Sequence, residues 1–184
     1  MKKITLSLLV FYLVTLLTAC TSNSSPNVSF VPQGELLDRI KQNFNRMHSE
    51  KYQPENVFLT EEQSGGWPGD TEGRTILALT CDSKAGNLHT DNLAKIVNLV
   101  PVRLNQKGYM GPDYGDKIDE QQLSGNGWML RGLCAYYDYT GDKAALDMIR
   151  SISYNLFVRH AGKYKDYPIS ESERSGDGGA AGRI

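Results

Sequence analysis

The chain has 184 residues, with 20 Lys or Arg against 21 Asp or Glu, so its formal net charge at pH 7 is −1. The basic residues are scattered and form no patch that alternates with aromatic side chains, which argues against a nucleic-acid partner. About 150 residues remain beyond an export signal and a tether, which is enough for one domain of modest size.

Residues 1–20 have the composition of an export signal. Lys2 and Lys3 form a positive start, residues 4–17 are an apolar core, and the segment LTAC ends at Cys20 in a small-residue processing site. The apolar run is shorter than the roughly 18 residues that a membrane-spanning helix needs. A cysteine directly after such a site resembles the lipobox of bacterial lipoproteins, with an ordinary signal peptide or a membrane anchor as the alternatives. This resemblance implies a lipid on Cys20 and a lipid-anchored protein of the bacterial cell envelope, in the outer membrane or facing the periplasm.

Residues 21–33 are rich in Ser, Asn and Pro and offer little to bury, so they predict a flexible tether. The folded domain is therefore predicted over residues 34–184. Apolar residues recur in most of it at three- and four-residue steps, which predicts an all-α domain of amphipathic helices. Strand signals are confined to residues 57–59 and 109–110.

The first three helices follow from these steps and from helix-end signals. The first is predicted over residues 35–50, and the second begins at a cap formed by Asp70 or Thr71 and ends at Gly86. The third stops before Gly108. Because Pro101 lies inside the third helix and removes a backbone hydrogen bond, a bend is expected there.

Two more helices are predicted over residues 127–139 and 143–160. Gly86 and Gly108 close one helical pair and Gly141 and Gly162 close the next, and the paired glycines are spaced 22 and 21 positions apart. Such a period is typical of helical hairpins in a solenoid or a closed ring. Two hairpins leave one flank of such an array uncovered, so the sequence is expected to be part of a longer array.

Cys81 and Cys134 each fall on the apolar stripe of a predicted helix. Free cysteine is readily buried, and neither residue has C-x-x-C or metal-ligand spacing, so both are predicted to be core residues. A disulfide between them is the alternative, because the chain carries an export signal.

A first polar cluster opens the second helix in the motif GWPGDTEGR, residues 66–74. The indole of Trp67 can stack on the C–H groups of a sugar ring, while the carboxylates of Asp70 and Glu72 can accept hydrogen bonds from its hydroxyls. The same residues also have a purely structural interpretation: Asp70 as a helix cap, Glu72 as a partner of the helix dipole and Trp67 as a staple.

A second polar cluster precedes the fourth helix in DEQQLSGNGWMLRGL, residues 119–133. Gln122 and Asn126 each offer donors and acceptors, as neutral sugar hydroxyls require. The structural alternative is a solvated loop with Ser124 as the helix cap and Trp128 in the core. Paired carboxylates could also support glycoside hydrolysis, although one sequence does not establish their separation. The three histidines show no metal-ligand spacing.

These two motifs, together with LNQKGYMGPDYGD (residues 104–116) and YYDYTGDKAALDMIRSISYNLF (residues 136–157), occur in an order and at a spacing similar to the N-terminal part of the β-L-arabinofuranosidase-type glycoside hydrolases. The resemblance covers nearly all of residues 35–184. It implies that residues 34–184 are part of an (α/α)6 toroid of six helical hairpins.

The resemblance also implies a hydrolase acting on arabinofuranose-containing or related plant glycans, with a cysteine nucleophile near zinc and a glutamate acid/base. Those catalytic residues belong to later hairpins, so none maps onto this chain, and no metal ligand or cofactor is assigned to it. By position, the family lines its sugar pocket at Asp70, Glu72, Gln122 and Asn126, where Asn126 replaces a frequent histidine. The expected partners are an oligo- or polysaccharide and, through the lipid, a membrane.

The favoured hypothesis is therefore the N-terminal portion of a membrane-anchored glycoside hydrolase, cut off before its catalytic residues and inactive alone. The first alternative is a non-catalytic carbohydrate-binding or structural lipoprotein. The second alternative is a relative of the unsaturated glucuronyl hydrolases, in which Arg74 and Arg131 would favour a uronate.

Overall fold

A computed structural model describes residues 31–59, 67–116 and 119–161 of the chain. The predicted signal peptide with Cys20, most of the tether and residues 162–184 lie outside the described residues. Within the described ranges the prediction of an all-α fold is confirmed, because helices dominate and no strand forms. A single isolated antiparallel bridge joins Leu104 to Met110.

The described residues form five α-helices in chain order: α1 (Gly34–Arg46), α2 (Asp70–Gly86), α3 (Asp91–Leu99), α4 (Glu120–Thr140) and α5 (Lys143–Ile152). Short 3-10 helices follow α1 and α3, at Glu50–Tyr52 and Val100–Arg103, and a π-helical segment, Ser153–Val158, follows α5. None of the helices in these ranges combines the length and apolarity that crossing a bilayer requires.

The start of α4 differs most from the sequence-based prediction. The helix begins at Glu120 and is capped by Asp119, whose carboxylate accepts a hydrogen bond from the backbone N–H of Gln122 at 2.8 Å. The predicted start of this helix at residue 127 was therefore wrong, and so was the structural alternative of a solvated loop capped by Ser124. The side chains that suggested a loop lie on the first two turns of a helix.

The start of α2 also needs a correction. Its cap residue is Gly69, which has a φ of 94° and gives no side-chain cap, while Asp70 is already helical. Neither Asp70 nor Thr71 is therefore the N-cap. A φ in this left-handed region favours glycine, which explains why a glycine directly precedes the helix.

Pro101 ends α3 instead of bending it. The α-helix stops at Leu99, and Pro101 lies at the start of the following 3-10 turn, where its missing N–H costs no internal hydrogen bond. The first helix is also shorter than the predicted 35–50, because α1 ends at Arg46; Phe44 and Met47 near its end are buried, whereas Leu36 near its start is 47% exposed.

Helices α2 and α4 pack side by side and run parallel. A Cβ on Gly69 would lie 3.0 Å from the carbonyl oxygen of Gly125, and a Cβ on Gly132 would lie 2.5 Å from that of Gly73. Residues early in α2 therefore meet residues early in α4, and later residues meet later ones. We call this contact the glycine seam; its backbones approach too closely for side chains to fit between them.

Helix α1 runs antiparallel to α2 on another side. Asn43 of α1 donates a 2.6 Å hydrogen bond to Asp82, near the end of α2, while Met47 and Ala78 line one groove closer to its start. Apolar side chains from all five helices join one core, whose fully enclosed members include Ile76, Leu79, Ile96, Val100, Met129, Leu133, Ala145 and Ile152.

The cysteine prediction was wrong in both forms. Cys81 and Cys134 are exposed and are not paired with each other. Partial desolvation raises the pKa of both thiols, and the neighbouring carboxylates of Asp82 and Asp138, respectively, raise it further. Each residue lies beside the buried stripe of its helix rather than on it.

Candidate functional site

A pocket of about 310 Å³ lies beside the first turn of α2, where the chain segment after α3 passes in front of that helix. Its volume is at the lower end of those typical of small-molecule sites. Its wall combines apolar side chains, a carboxylate, a guanidinium and an amide. The lining residues are Phe58, Pro68, Glu72, Arg103, Asn105, Met110 and Gly111.

Glu72 supplies the carboxylate from the first turn of α2 and is only 1% exposed. The residue also borders Gly73, where α4 approaches most closely. Glu72 therefore lines the pocket wall, and the prediction that it binds a sugar stays a prediction.

Arg103 supplies the guanidinium from the last residue of the 3-10 turn after α3. Its guanidinium carbon lies 5.3 Å from the centre of the Phe58 ring, a distance at which a cation and an aromatic face attract. Sequence reasoning missed both residues. Arg103 could have been noticed because it is a cationic residue directly before the LNQKGYMGPDYGD segment. Phe58 lies beside none of the recognised motifs.

The remaining wall is a turn in residues 105–111. The side chain of Asn105 accepts a hydrogen bond from the Lys107 N–H at 2.8 Å and donates one to the Gly111 carbonyl at 2.7 Å. Gly111 has a φ of 84°, and a Cβ there would lie 2.7 Å from the ring of Pro68. The wall therefore needs a glycine at this point.

Asn126 and Gln122 of α4 hold this turn from behind. The Asn126 amide accepts from the Met110 N–H at 2.9 Å and donates to the Met110 carbonyl at 3.1 Å, as a neighbouring strand would. Gln122 donates to the Pro112 carbonyl at 2.6 Å and to that of Met110 at 3.2 Å. Both side chains are buried, Asn126 completely. They support the pocket wall from the protein side and do not line it.

Trp67 and Asp70 do not line this pocket either. Asp70 forms an ion pair with Arg74 at 2.9 Å, one helical turn further along α2. The Trp67 carbonyl accepts the Asp70 N–H at 2.9 Å, and the Trp67 backbone lies against Gly125 in the glycine seam. Of the five residues predicted to bind substrate, Glu72 alone lines the pocket, and sugar binding by any of the five stays a prediction.

Asp113 stiffens the chain just beyond the pocket wall. Its carboxylate accepts the Gly115 N–H at 2.9 Å and the Tyr109 hydroxyl at 3.0 Å, and these two bonds lower its pKa. Burial and this carboxylate raise the pKa of Tyr109. The phenol is therefore held as a neutral donor that ties the two ends of the turn together.

The described residues contain no group of three His, Cys, Asp or Glu side chains arranged to hold a metal ion. Searches with protein-family models, against curated proteins and against solved structures gave no match.

Proposed function

We propose that the chain is the N-terminal portion of a lipid-anchored glycoside hydrolase with an (α/α)6 toroid, and that its pocket binds part of an arabinofuranose-containing or related plant glycan. The parallel packing of α2 and α4 supports the toroid, because inner helices of such a ring run in one direction. Each of these helices is followed within a few residues by another, α3 or α5, as a hairpin requires.

The composition of the pocket carries the proposal of a saccharide ligand. A sugar hydroxyl both donates and accepts hydrogen bonds, and the Glu72 carboxylate accepts while the Arg103 guanidinium donates. The Phe58 ring and Met110 provide apolar surface for the C–H groups of the sugar. We assign no catalytic residue to the described chain; the chemistry would belong to other hairpins.

Calorimetric titration of the purified chain with neutral arabinofuranose oligosaccharides tests the proposal. We expect saturable binding that Glu72→Gln and Arg103→Gln each weaken about tenfold, because each loses a charge-assisted hydrogen bond. The matched controls are Glu35→Gln and Arg150→Gln, which change exposed residues of α1 and α5. Thermal unfolding of each variant checks that the fold is retained.

Binding that is absent for every neutral oligosaccharide, or that the pocket and control variants weaken equally, would contradict a saccharide site here. Hydrolysis of arabinofuranosides by this chain, abolished by Glu72→Gln, would contradict the placement of catalysis outside it.

A further inference from the structure

A second concave surface lies between the end of α1 and α2, and we call it the basic groove. Its volume is about 290 Å³. Three cationic side chains, two threonines and a tyrosine line it, together with apolar Met47 and Ala78. The polar lining residues are Arg46, Lys51, Tyr52, Thr71, Arg74 and Thr75.

The basic groove is separate from the pocket that contains Glu72. Successive residues of an α-helix are about 100° apart, so Arg74 projects roughly 200° away from Glu72. Thr71, Arg74 and Thr75 follow the three- and four-residue spacing of one helical face, and this is the face that meets α1. The two concave surfaces therefore use opposite sides of α2.

The Arg74 guanidinium is fixed in place on the groove. Its carbon lies 4.0 Å from the centre of the Trp128 ring, and its Nε pairs with Asp70. A planar guanidinium held on an aromatic ring is well suited to bind an oxyanion with two parallel hydrogen bonds.

Lys51 and Arg46 add positive charge on the α1 side of the groove. The Lys51 ammonium lies 4.6 Å from the centre of the Tyr52 ring, and Arg46 donates a 2.8 Å hydrogen bond to the Asn43 amide. Of the nearby carboxylates, Asp70 pairs with Arg74 and Asp82 accepts from Asn43. The charge of Arg46 also acts on Asp82. The three cations that line the groove therefore outnumber the two neighbouring carboxylates, Asp70 and Asp82, and positive charge remains in excess.

We propose that the basic groove binds an oxyanion group on a small polar ligand, either the carboxylate of a uronic acid residue or a phosphate. The guanidiniums and the ammonium would hold the oxyanion, while Tyr52 and the threonines would contact the remainder of the ligand. The site is independent of the proposed sugar pocket and remains available if that pocket binds no glycan.

Calorimetric titration of the purified chain at constant ionic strength, with sodium D-glucuronate, inorganic phosphate and D-glucose, tests the inference. We expect saturable binding of at least one anion and no binding of glucose in the groove. In NMR spectra recorded during the same titrations, we expect the amide chemical-shift changes to centre on Thr71 and Thr75. The double variant Arg46→Gln/Lys51→Gln should weaken anion binding about tenfold or more. Arg74 is left unchanged because its contacts with Trp128 and Asp70 also support the fold.

The control is Lys84→Gln/Lys95→Gln, which removes the same charge from exposed positions on α2 and α3. Preferred binding of glucuronate would identify a uronate-bearing saccharide as the ligand source, and preferred binding of phosphate would identify a phosphorylated one. Either result, combined with loss in the first variant and retention in the control, supports the site. Equal losses in both double variants, or no saturable binding of either anion, would overturn it.

Discussion

At the scale of single residues, the buried amides of α4 have the most consequence. Asn126 is 0% exposed, and its amide satisfies both the N–H and the carbonyl of Met110. A buried backbone group without a partner is costly, so the side chain at position 126 determines whether the pocket wall can form. Gln122, one turn earlier, donates hydrogen bonds to the carbonyls of Pro112 and Met110.

Asn126→Asp should destabilise the fold by about 2–4 kcal/mol at neutral pH, because a carboxylate places an acceptor against the Met110 and Gln122 carbonyls and carries a buried charge. The penalty should shrink at acid pH, where protonation restores a donor. Urea unfolding at pH 7 and pH 4 measures both effects. Gln121→Glu makes the same chemical change at an exposed position of α4 and should alter stability by less than about 0.5 kcal/mol. Equal effects of the two substitutions would contradict the structural role of Asn126.

Asp82 predicts a second dependence on pH. Burial raises its pKa, opposed by the hydrogen bond from Asn43 and by the charge of Arg46. Because the pKa in the folded state lies above that in the unfolded chain, the associated stability is present at acid pH and is lost as pH rises through the folded-state pKa. As pH rises from about 3 to about 7, the stability of Asp82→Asn relative to the unmodified chain should therefore increase.

Thermal unfolding across this pH range measures the difference between Asp82→Asn and the unmodified chain. Asp138→Asn removes the same charge from an exposed position on α4 and is the control. If the stability of both variants relative to the unmodified chain changed with pH in the same way, burial of Asp82 would not be the cause of the effect.

At the scale of elements, the helices could be predicted where apolar spacing reports burial, and the start of α4 could not. The stripe of Leu93, Ile96 and Val97 identified α3, and these residues are buried. The first turns of α4 bury the polar residues Gln122 and Asn126 instead, because these two side chains pair with backbone groups of a distant turn. One local signal was present: Asp119 followed three residues later by Gln122 is a capping pattern.

The candidate site was only partly predictable for a related reason. Glu72 was identified from its motif, but Phe58 and Arg103 join it through the packing of chain segments that are distant in sequence. Spacing along one helix reports which residues share a face. It does not report which other segment lies against that face.

The glycine seam predicts opposite outcomes for two Gly→Ala substitutions. Alanine favours a helix by about 1 kcal/mol over glycine. At Gly73, however, the added Cβ would lie 2.3 Å from the Met129 N, so we expect a net loss of about 2–4 kcal/mol. At Gly127 of α4 the nearest atom is on Phe157 at 4.0 Å, so the same change should be neutral or stabilising. Chemical denaturation compares them, and a stabilising Gly73→Ala would refute the close approach of α2 and α4.

At the scale of the whole described domain, five helices enclose one core while some large apolar side chains face outward. Tyr154 and Val158 lie four residues apart on the π-helical segment and are 67% and 58% exposed. Neighbouring exposed apolar residues favour association between molecules. Charged side chains introduced on the outer side of this segment should therefore improve solubility.

Tyr154→Lys/Val158→Lys should reduce concentration-dependent self-association and change the free energy of unfolding by less than about 0.5 kcal/mol. Sedimentation velocity over a range of concentrations measures the first quantity, and thermal unfolding the second. Val102→Lys, at an isolated position that is 75% exposed, is the control and should leave association unchanged. An equal decrease in association with the control would exclude the π-helical segment as the cause.

The buried amide that supports the pocket wall is followed directly by Gly127, and Asn-Gly is the dipeptide that deamidates most readily in flexible chains. Deamidation requires the following backbone nitrogen to attack the side-chain carbonyl, and the regular geometry of α4 keeps the two apart. The rate at which Asn126 deamidates therefore depends on how often the first turns of α4 open. Each opening risks an irreversible conversion to an acidic residue that can no longer donate to the Met110 carbonyl, so the lifetime of the intact pocket wall depends on the local stability of the first turns of α4.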